Sequence, residues 1–431
     1  MFTEQLRRIS LRWPRIGREL GSIPYPAGRI RLRDEGSTTL VLDGIQLSGA
    51  HNRHDEALLQ ASLVPGTARR ATVYGLGMGD LPRVLLGREQ VESLRVVLFN
   101  LEVVRAVLEH VDLGDWIDDP RVELVLASSL GAVETPFAAS PGSLRLASDS
   151  AAPLRDLVQL ELATPFIRKN AGKKAALLDA QVAANRERIE QDEDVRALFG
   201  SQPGARIHVA AAGPSLAESF DRLRERPAAE PLLAVDACLR SLLDAGVVPD
   251  MVLAIDPARH GILPYFQGDL RSCRESRLVY APAVHADVLT TWTGTRSVAY
   301  TTEGCYQQLA RELPRGRLFV SGTVTHCAVD LAVRMGASEV VLHGADFSFP
   351  RGLSHVEGAA HSRRMDAWRE RGVWVLNAAG ERVPTLPNLR GYLRDLEGFL
   401  QQHPTVRFVQ ASGEGARIRG AELEEAHGTR G

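Results

Sequence analysis

The residues able to do chemistry gather where apolar runs end in the second half of the chain. The run ARIHVAAA (205–212) stops at Gly213-Pro214-Ser215, LLAVDA (232–237) carries Asp236, and MVLAID (251–256) closes on Asp256. Further on, RLFVSG (317–322) ends in Ser321-Gly322 and EVVLHGAD (339–346) in Asp346. A carboxylate only accepts hydrogen bonds, a hydroxyl also donates, and glycine lets a backbone come close to a ligand. Each aspartate alone would serve as an ordinary turn or cap residue. At the ends of strands in one sheet they would converge on a single rim, which is where such a sheet binds its ligand.

The elements that must position them alternate. Between the apolar runs, and two more at SRLVYAP (276–282) and SVAYTT (297–302), lie helical patterns such as SLAESFDRLRER, CLRSLLDAG and TVTHCAVDLAVRMG. Strands alternating with helices predict a parallel, doubly wound sheet. A shorter series stands upstream, TVYGLGMGDLPRVLL (72–86), LRVVLFNLEVVRAVLEHV (94–111) and RVELVLA (121–127), behind an antiparallel piece at 27–49. The fold class expected is α/β, with a doubly wound Rossmann-like central domain (201–350). A smaller Rossmann-like α/β domain (1–153) and a helical connector (154–200) precede it. An active-site loop and a helical C-terminal region (351–431) follow, with a frayed tail, GAELEEAHGTRG.

GLGMG (75–79) follows a strand and precedes a helix, as a dinucleotide or S-adenosylmethionine turn would. The ribose-binding acid of such a site belongs at the end of the next strand, near Asn100. That position is an amide, and Glu102 is already inside the helix. The turn therefore reads as scaffold, or as a retired nucleotide domain, in preference to a working cofactor site.

Composition narrows the classes. The chain has 431 residues, 44% of them hydrophobic and 24% charged, with a net charge of -2. That balance argues against non-specific binding to nucleic acid or anionic membrane. Cys238, Cys273, Cys305 and Cys327 are widely spaced with no CxxC pair, which fits a reducing compartment and no zinc site. The start, MFTEQLRRISLRWPRIG, shows no apolar core of signal-peptide length, and no run of about 18 apolar residues occurs. A cytoplasmic protein without a membrane span is expected.

The stretches AAGPSL, VDACLRSLLDAGVVPDMVLAIDP and SGTVTHCAVDLAVRMGASEVVLHGADFSF resemble the central domain of the motility accessory factor (Maf) glycosyltransferases, which carries the 6-hydroxymethylpterin diphosphokinase MptE-like domain. GLGMG looks like that family's first domain, and VPTLPNLRGYLRDLEGFL to ASGEGARIRGAELEE like its C-terminal region. The core is also similar to bacterial Rossmann-type sialyltransferases, which use CMP-sialic acid. The resemblance implies transfer of a nonulosonic acid (pseudaminic, legionaminic or sialic type) from a CMP-activated donor to Ser/Thr of a protein acceptor, flagellin. No resident cofactor or metal is implied for that chemistry.

On this reading the N–H groups of the Gly213-Pro214-Ser215 turn, with the Ser215 hydroxyl, take phosphate oxygens. Ser321 and Gly322 form a second wall, and Asp346 accepts from ribose hydroxyls or the cytosine amino group. Asp236 and Asp256 either face the hydroxyl side or hold a cation. The transfer needs a base for the acceptor hydroxyl. His355, in a loop after Asp346, comes first, His326, opening a helix, second, and His343, inside a strand, last. The archaeal 6-hydroxymethylpterin diphosphokinase, a Mg-ATP enzyme, is the alternative enzyme, although its DLDG signature is replaced here by AIDPARHG. A non-catalytic flagellin-binding protein is the other alternative.

Overall fold

The computed structural model describes residues 1–302, 306–365 and 374–424, with the backbone alone for 164–175. The chain divides into two compact units, Met1–Ala163 and Thr164–Gly431. No helix among the described residues is long and apolar enough to cross a membrane.

The first unit holds the expected antiparallel piece, β1 (Ile30–Asp34), β2 (Thr38–Leu42) and β3 (Ile45–Gln46). Beside it is a parallel sheet of β4 (Arg70–Tyr74), β5 (Ser93–Leu98), β6 (Val122–Leu126) and β7 (Phe137–Ala139), in the order β6-β5-β4-β7. That is the 3-2-1-4 order of a Rossmann half. The strand β7, in TPFAAS, was not anticipated. It is three residues long and follows a loop rather than a helical pattern.

The second unit is built on one parallel sheet. Its strands are β8 (Glu193–Asp194), β9 (Arg206–Ala210), β10 (Leu232–Val235), β11 (Met251–Ala254), β12 (Arg277–Tyr280) and β13 (Thr295–Val298). A short pair follows, β14 (Tyr300–Thr301) with β15 (Arg317–Leu318), and then β16 (Glu339–His343). After the hairpin β17 (Trp374–Leu376) and β18 (Arg382–Pro384) come β19 (Arg407–Gln410) and β20 (Glu422–Leu423). Nine strands pair in the order β20-β19-β16-β9-β10-β11-β12-β13-β8. Residues 232–234 of β10 are fully buried, as a strand covered by helices on both faces must be. Burying each such leucine contributes roughly 1.5–3 kcal/mol.

Three features depart from the expectation. The strands stop two or three residues early, because the polar residues at their ends turn out of the ladder into 3-10 turns such as Pro214–Ser219 and Asp236–Cys238. RLFVSG is not part of the large sheet, since β15 pairs only with β14. The C-terminal region adds two strands beside its helix Pro387–Gln401, and Glu422–Leu423 pairs with β19 instead of fraying. Glu424 fixes that end by pairing with Arg206 at 2.9 Å and with Arg222. The remaining tail, 425–431, lies outside the described residues, as does Cys305. Cys238 and Cys273 are buried thiols.

Strand order matters most at β9. From it the chain crosses to β10 on one side, while β16 pairs on the other, so the connections diverge between β9 and β16. This is a topological switch point, where the loops part and leave a crevice beyond the strands' C-terminal ends. Gly344, at the end of β16, has φ +62, and a Cβ there would lie 2.5 Å from the Ala211 carbonyl oxygen. Gly380 also has positive φ, but its Cβ would meet nothing within 4 Å. Gly344→Ala is therefore expected to lose about 3 kcal/mol in urea unfolding, from both strain and clash, against about 1 kcal/mol for Gly380→Ala. Equal losses would contradict close packing at the switch point.

Candidate functional site

In the first unit, the GLGMG turn is filled by protein. Gly75, Gly77 and Gly79 all have positive φ. A Cβ on Gly75 would lie 2.3 Å from that of Ser143, and one on Gly79 would lie 2.4 Å from the Leu113 side chain. The Ser143 hydroxyl accepts the Gly77 N–H at 2.9 Å. The cavity beside the turn, lined by Arg53, Glu56, Met78 and Ser140 among others, measures about 10 Å³, room for about one water. Asn100 caps its helix by accepting from Glu102 N–H at 2.9 Å and donates to the Leu146 carbonyl at 2.8 Å. Here the glycines serve packing.

At the switch point of the second unit, Ser215 and Asp346 face each other from the ends of β9 and β16. The Ser215 N–H donates to Asp346 Oδ2 at 2.8 Å and its hydroxyl to Oδ1 at 2.5 Å. Both residues are buried. Gly213 donates its N–H to the Gly344 carbonyl at 2.8 Å, and a Cβ on Gly213 would lie 2.5 Å from Asp346 Oδ2. From the other side Gly415 leaves the same room, its Cβ falling 2.6 Å from Asp346 Oδ1. Burial pushes the Asp346 carboxyl up to about 6, against the two Ser215 hydrogen bonds that favour its charge. Ser215 and Asp346 are thus bonded first to each other, at the strand ends where a switch point opens its crevice.

Asp236 and Asp256 form a second group at the ends of β10 and β11. Asp236 accepts the Ala237 N–H at 2.7 Å, and burial, with the charge of Asp256, raises it to about 7. Asp256 accepts the Ala258 N–H at 2.8 Å. Between them in electrostatic reach is Tyr265, a residue that the sequence did not single out; burial and both aspartates push its phenol well up. Among the described residues no three His, Cys, Asp or Glu side chains gather as metal ligands.

The segment 350–365 runs over these two groups. Arg351 donates to the Pro214 carbonyl at 2.8 Å, Val356 N–H to the Ala212 carbonyl at 2.9 Å, and His361 Nε2 to the His260 carbonyl at 3.0 Å. The His361 ring also stands edge-on to Tyr265 at 5.3 Å. His355 lies in the middle of the segment, half-buried, with Nδ1 3.0 Å from the Ser354 hydroxyl. Its pKa is lowered by burial and then by the charge of His361, against a hydrogen bond to the His361 backbone that favours the charged form, so the ring is neutral near pH 7.

Ser321, Gly322 and His326 form a third group, turned toward helix Pro387–Gln401. Ser321 donates to Asp395 at 2.5 Å, and Gly322 (φ +79) packs so tightly that a Cβ would lie 2.1 Å from the Tyr392 ring. His326 Nδ1 accepts the Ser321 N–H at 3.1 Å, while Nε2 donates to the Tyr392 carbonyl at 2.9 Å. With both nitrogens engaged and the ring buried, its pKa falls to about 4. In this arrangement His326 is a strut between two elements. His343 is buried in a chain of hydrogen bonds with His208 at 2.9 Å and the Ser219 hydroxyl at 2.9 Å, and His208 reaches Glu230 at 2.9 Å.

The expected rim therefore resolves into two groups under one covering segment, and a third that faces a helix. Sequence patterns missed Tyr265, Arg351 and Asp395, whose positions follow from loops and from the helix Pro387–Gln401. The fold and the switch-point crevice define a doubly wound, Rossmann-like α/β protein. Residues 180–352 match the model of the family described as "6-hydroxymethylpterin diphosphokinase MptE-like". No curated protein matches the chain. Solved structures similar to it include a Maf glycosyltransferase from Magnetospirillum magneticum AMB-1, 14% identical, covering 100% of this chain and 75% of that one at a TM-score of 0.46. The spermidine synthase of Thermotoga maritima matches 26% of this chain and 43% of its own, at 17% identity and a TM-score of 0.21.

The His326 strut has a sign that can be tested. Its folded pKa of about 4 lies below the ordinary 6.5, so the fold gains nothing above pH 6.5 and is penalised as pH falls from there toward 4. The full penalty is about 3 kcal/mol. Buried Asp346 and Asp236, raised to about 6 and 7, act oppositely, favouring the fold as pH falls. Urea unfolding of wild type and His326→Gln isolates the histidine: the variant should lose less stability between pH 6.5 and 4. Identical pH slopes would remove the strut.

Proposed function

We propose that the protein is a glycosyltransferase that moves a nonulosonic acid of pseudaminic, legionaminic or sialic type from a CMP-activated donor to Ser/Thr of flagellin. The observation carrying this reading is the topological switch point between β9 and β16, across whose strand ends runs the segment that holds His355. The resemblance of the AAGPSL and SGTVTHCAVDLAVRMGASEVVLHGADFSF stretches to the Maf enzymes supports the donor and acceptor classes. In the step itself, His355 Nε2 takes the proton of the acceptor hydroxyl as its oxygen bonds to the anomeric carbon. The bond from that carbon to the phosphate oxygen breaks, and CMP leaves with the electron pair. Asp236 and Asp256 accept from the nucleoside's hydroxyl or amino groups, and the Ser215–Asp346 pair shapes the wall beneath them. A cytoplasmic location is part of the proposal.

A Mg-ATP-dependent diphosphokinase is the second reading, favoured by the description of the family that residues 180–352 match. Thermal shift with CMP, CTP, ATP and S-adenosylmethionine separates the two. Stabilisation by CMP or CTP without added metal is expected. Strict dependence on Mg-ATP would overturn the transferase reading, and no shift with any nucleotide would favour a non-catalytic flagellin-binding protein. Intact-mass measurement after co-expression with a candidate flagellin follows the transfer. His355→Ala should slow it about 100-fold or more while CMP affinity stays within a few-fold. Unchanged transfer would remove His355 as the base.

A further inference from the structure

The anion of a nucleotide ligand needs a cation or free N–H donors, and the Gly213-Pro214-Ser215 turn offers few. Proline has no N–H, Ser215 gives both its N–H and its hydroxyl to Asp346, and the Leu216 N–H donates to the Gly213 carbonyl. Arg351 stands on this same turn. Its Nη2 is tethered to the Pro214 carbonyl at 2.8 Å, and its side chain remains 46% exposed at the crevice. The backbone at Arg351 is left-handed (φ 54), a conformation unusual for a residue with a side chain, and it is followed by Gly352 at φ 72.

The rest of the guanidinium is loosely held. Nη1 lies 3.4 Å from Glu218 Oε1 and Nε 3.3 Å from Glu414 Oε2, both beyond the 2.7–2.9 Å of a strong charge-assisted hydrogen bond. Two carboxylates thus share one guanidinium. Glu414 is held above its ordinary range by burial and by Glu218, because the two carboxyl groups crowd each other around the one arginine. An arginine so placed, tethered by one nitrogen and weakly paired through the others, can exchange its carboxylates for a phosphate in the fork geometry that guanidinium favours.

We propose that Arg351 is the phosphate-binding residue of the switch-point crevice, and that Glu218 and Glu414 hold its guanidinium until a nucleoside phosphate displaces them. The identity of the base, cytosine, rests on the function proposed above; the role of Arg351 does not.

Isothermal titration with CMP, cytidine and ADP tests both. Arg351→Ala should weaken CMP binding about 10–100-fold with cytidine affinity and the unfolding midpoint unchanged, and Arg351→Lys should fall between. Glu414→Gln, which removes a competing carboxylate, should tighten CMP several-fold. Equal losses for CMP and cytidine, or no loss for either, would overturn the role of Arg351 and leave the donor class standing. Binding of ADP in place of CMP, lost in Arg351→Ala, would uphold Arg351 and overturn the donor class. A wild-type protein that binds neither nucleotide would overturn both.

Discussion

The pair of hydrogen bonds from Ser215 to Asp346 joins the ends of two strands at the point where the chain's connections part. The Gly213 N–H, which donates to the Gly344 carbonyl at 2.8 Å, ties the same two turns together beside them. The bonds require two backbones, at Gly213 and Gly415, to close on one carboxyl group, and glycine is what allows it: a Cβ on either would lie within 2.6 Å of an Asp346 carboxyl oxygen, while one on Gly344 would meet the Ala211 carbonyl oxygen at 2.5 Å. A buried carboxylate without partners would be expensive, so two donors from a single residue are what keep this one in place. The crevice, the tether of Arg351 on Pro214 and the path of the segment 350–365 all start from that junction.

Around the junction, buried polar groups are joined in chains. His208 and His343 connect β9 to β16 beneath the crevice, and His326 connects the Ser321 turn to helix Pro387–Gln401. Each of these histidines is neutral because burial disfavours its charge. Half-buried His355 is set apart from them: among the described residues its ring bonds to its own segment, at Ser354 and His361, and bridges no two elements. The distinction between a histidine that supports and one that can exchange a proton lies in its hydrogen-bond partners, and residue type does not show it.

The α/β class and most of the strand positions were legible because continuous apolar runs and amphipathic spacing report burial directly. The site was legible only in outline. Ser215, Asp236, Asp256 and Asp346 do stand at strand ends, but a sequence cannot tell whether a polar group faces ligand or protein. Ser215 and Asp346 satisfy each other, and Ser321 reaches Asp395, 74 residues further on. Arg351 and Glu414 carried no signal at all, since a lone charged residue in a loop looks like any solvated one. The strand β20 was hidden for a related reason: two residues are too few for a periodic pattern, and Arg206 and Arg222, which hold Glu424, are some 200 positions away.

If the junction between β9 and β16 is the constraint on which the crevice depends, Ser215 and Asp346 must be energetically coupled. A double-mutant cycle with Ser215→Ala, Asp346→Asn and the combined variant, read by urea unfolding at pH 7.5, measures that coupling. The account requires an interaction energy of about 1.5 kcal/mol or more between the two sites. Losses that add to within about 0.3 kcal/mol would mean the two residues act independently, and would contradict it.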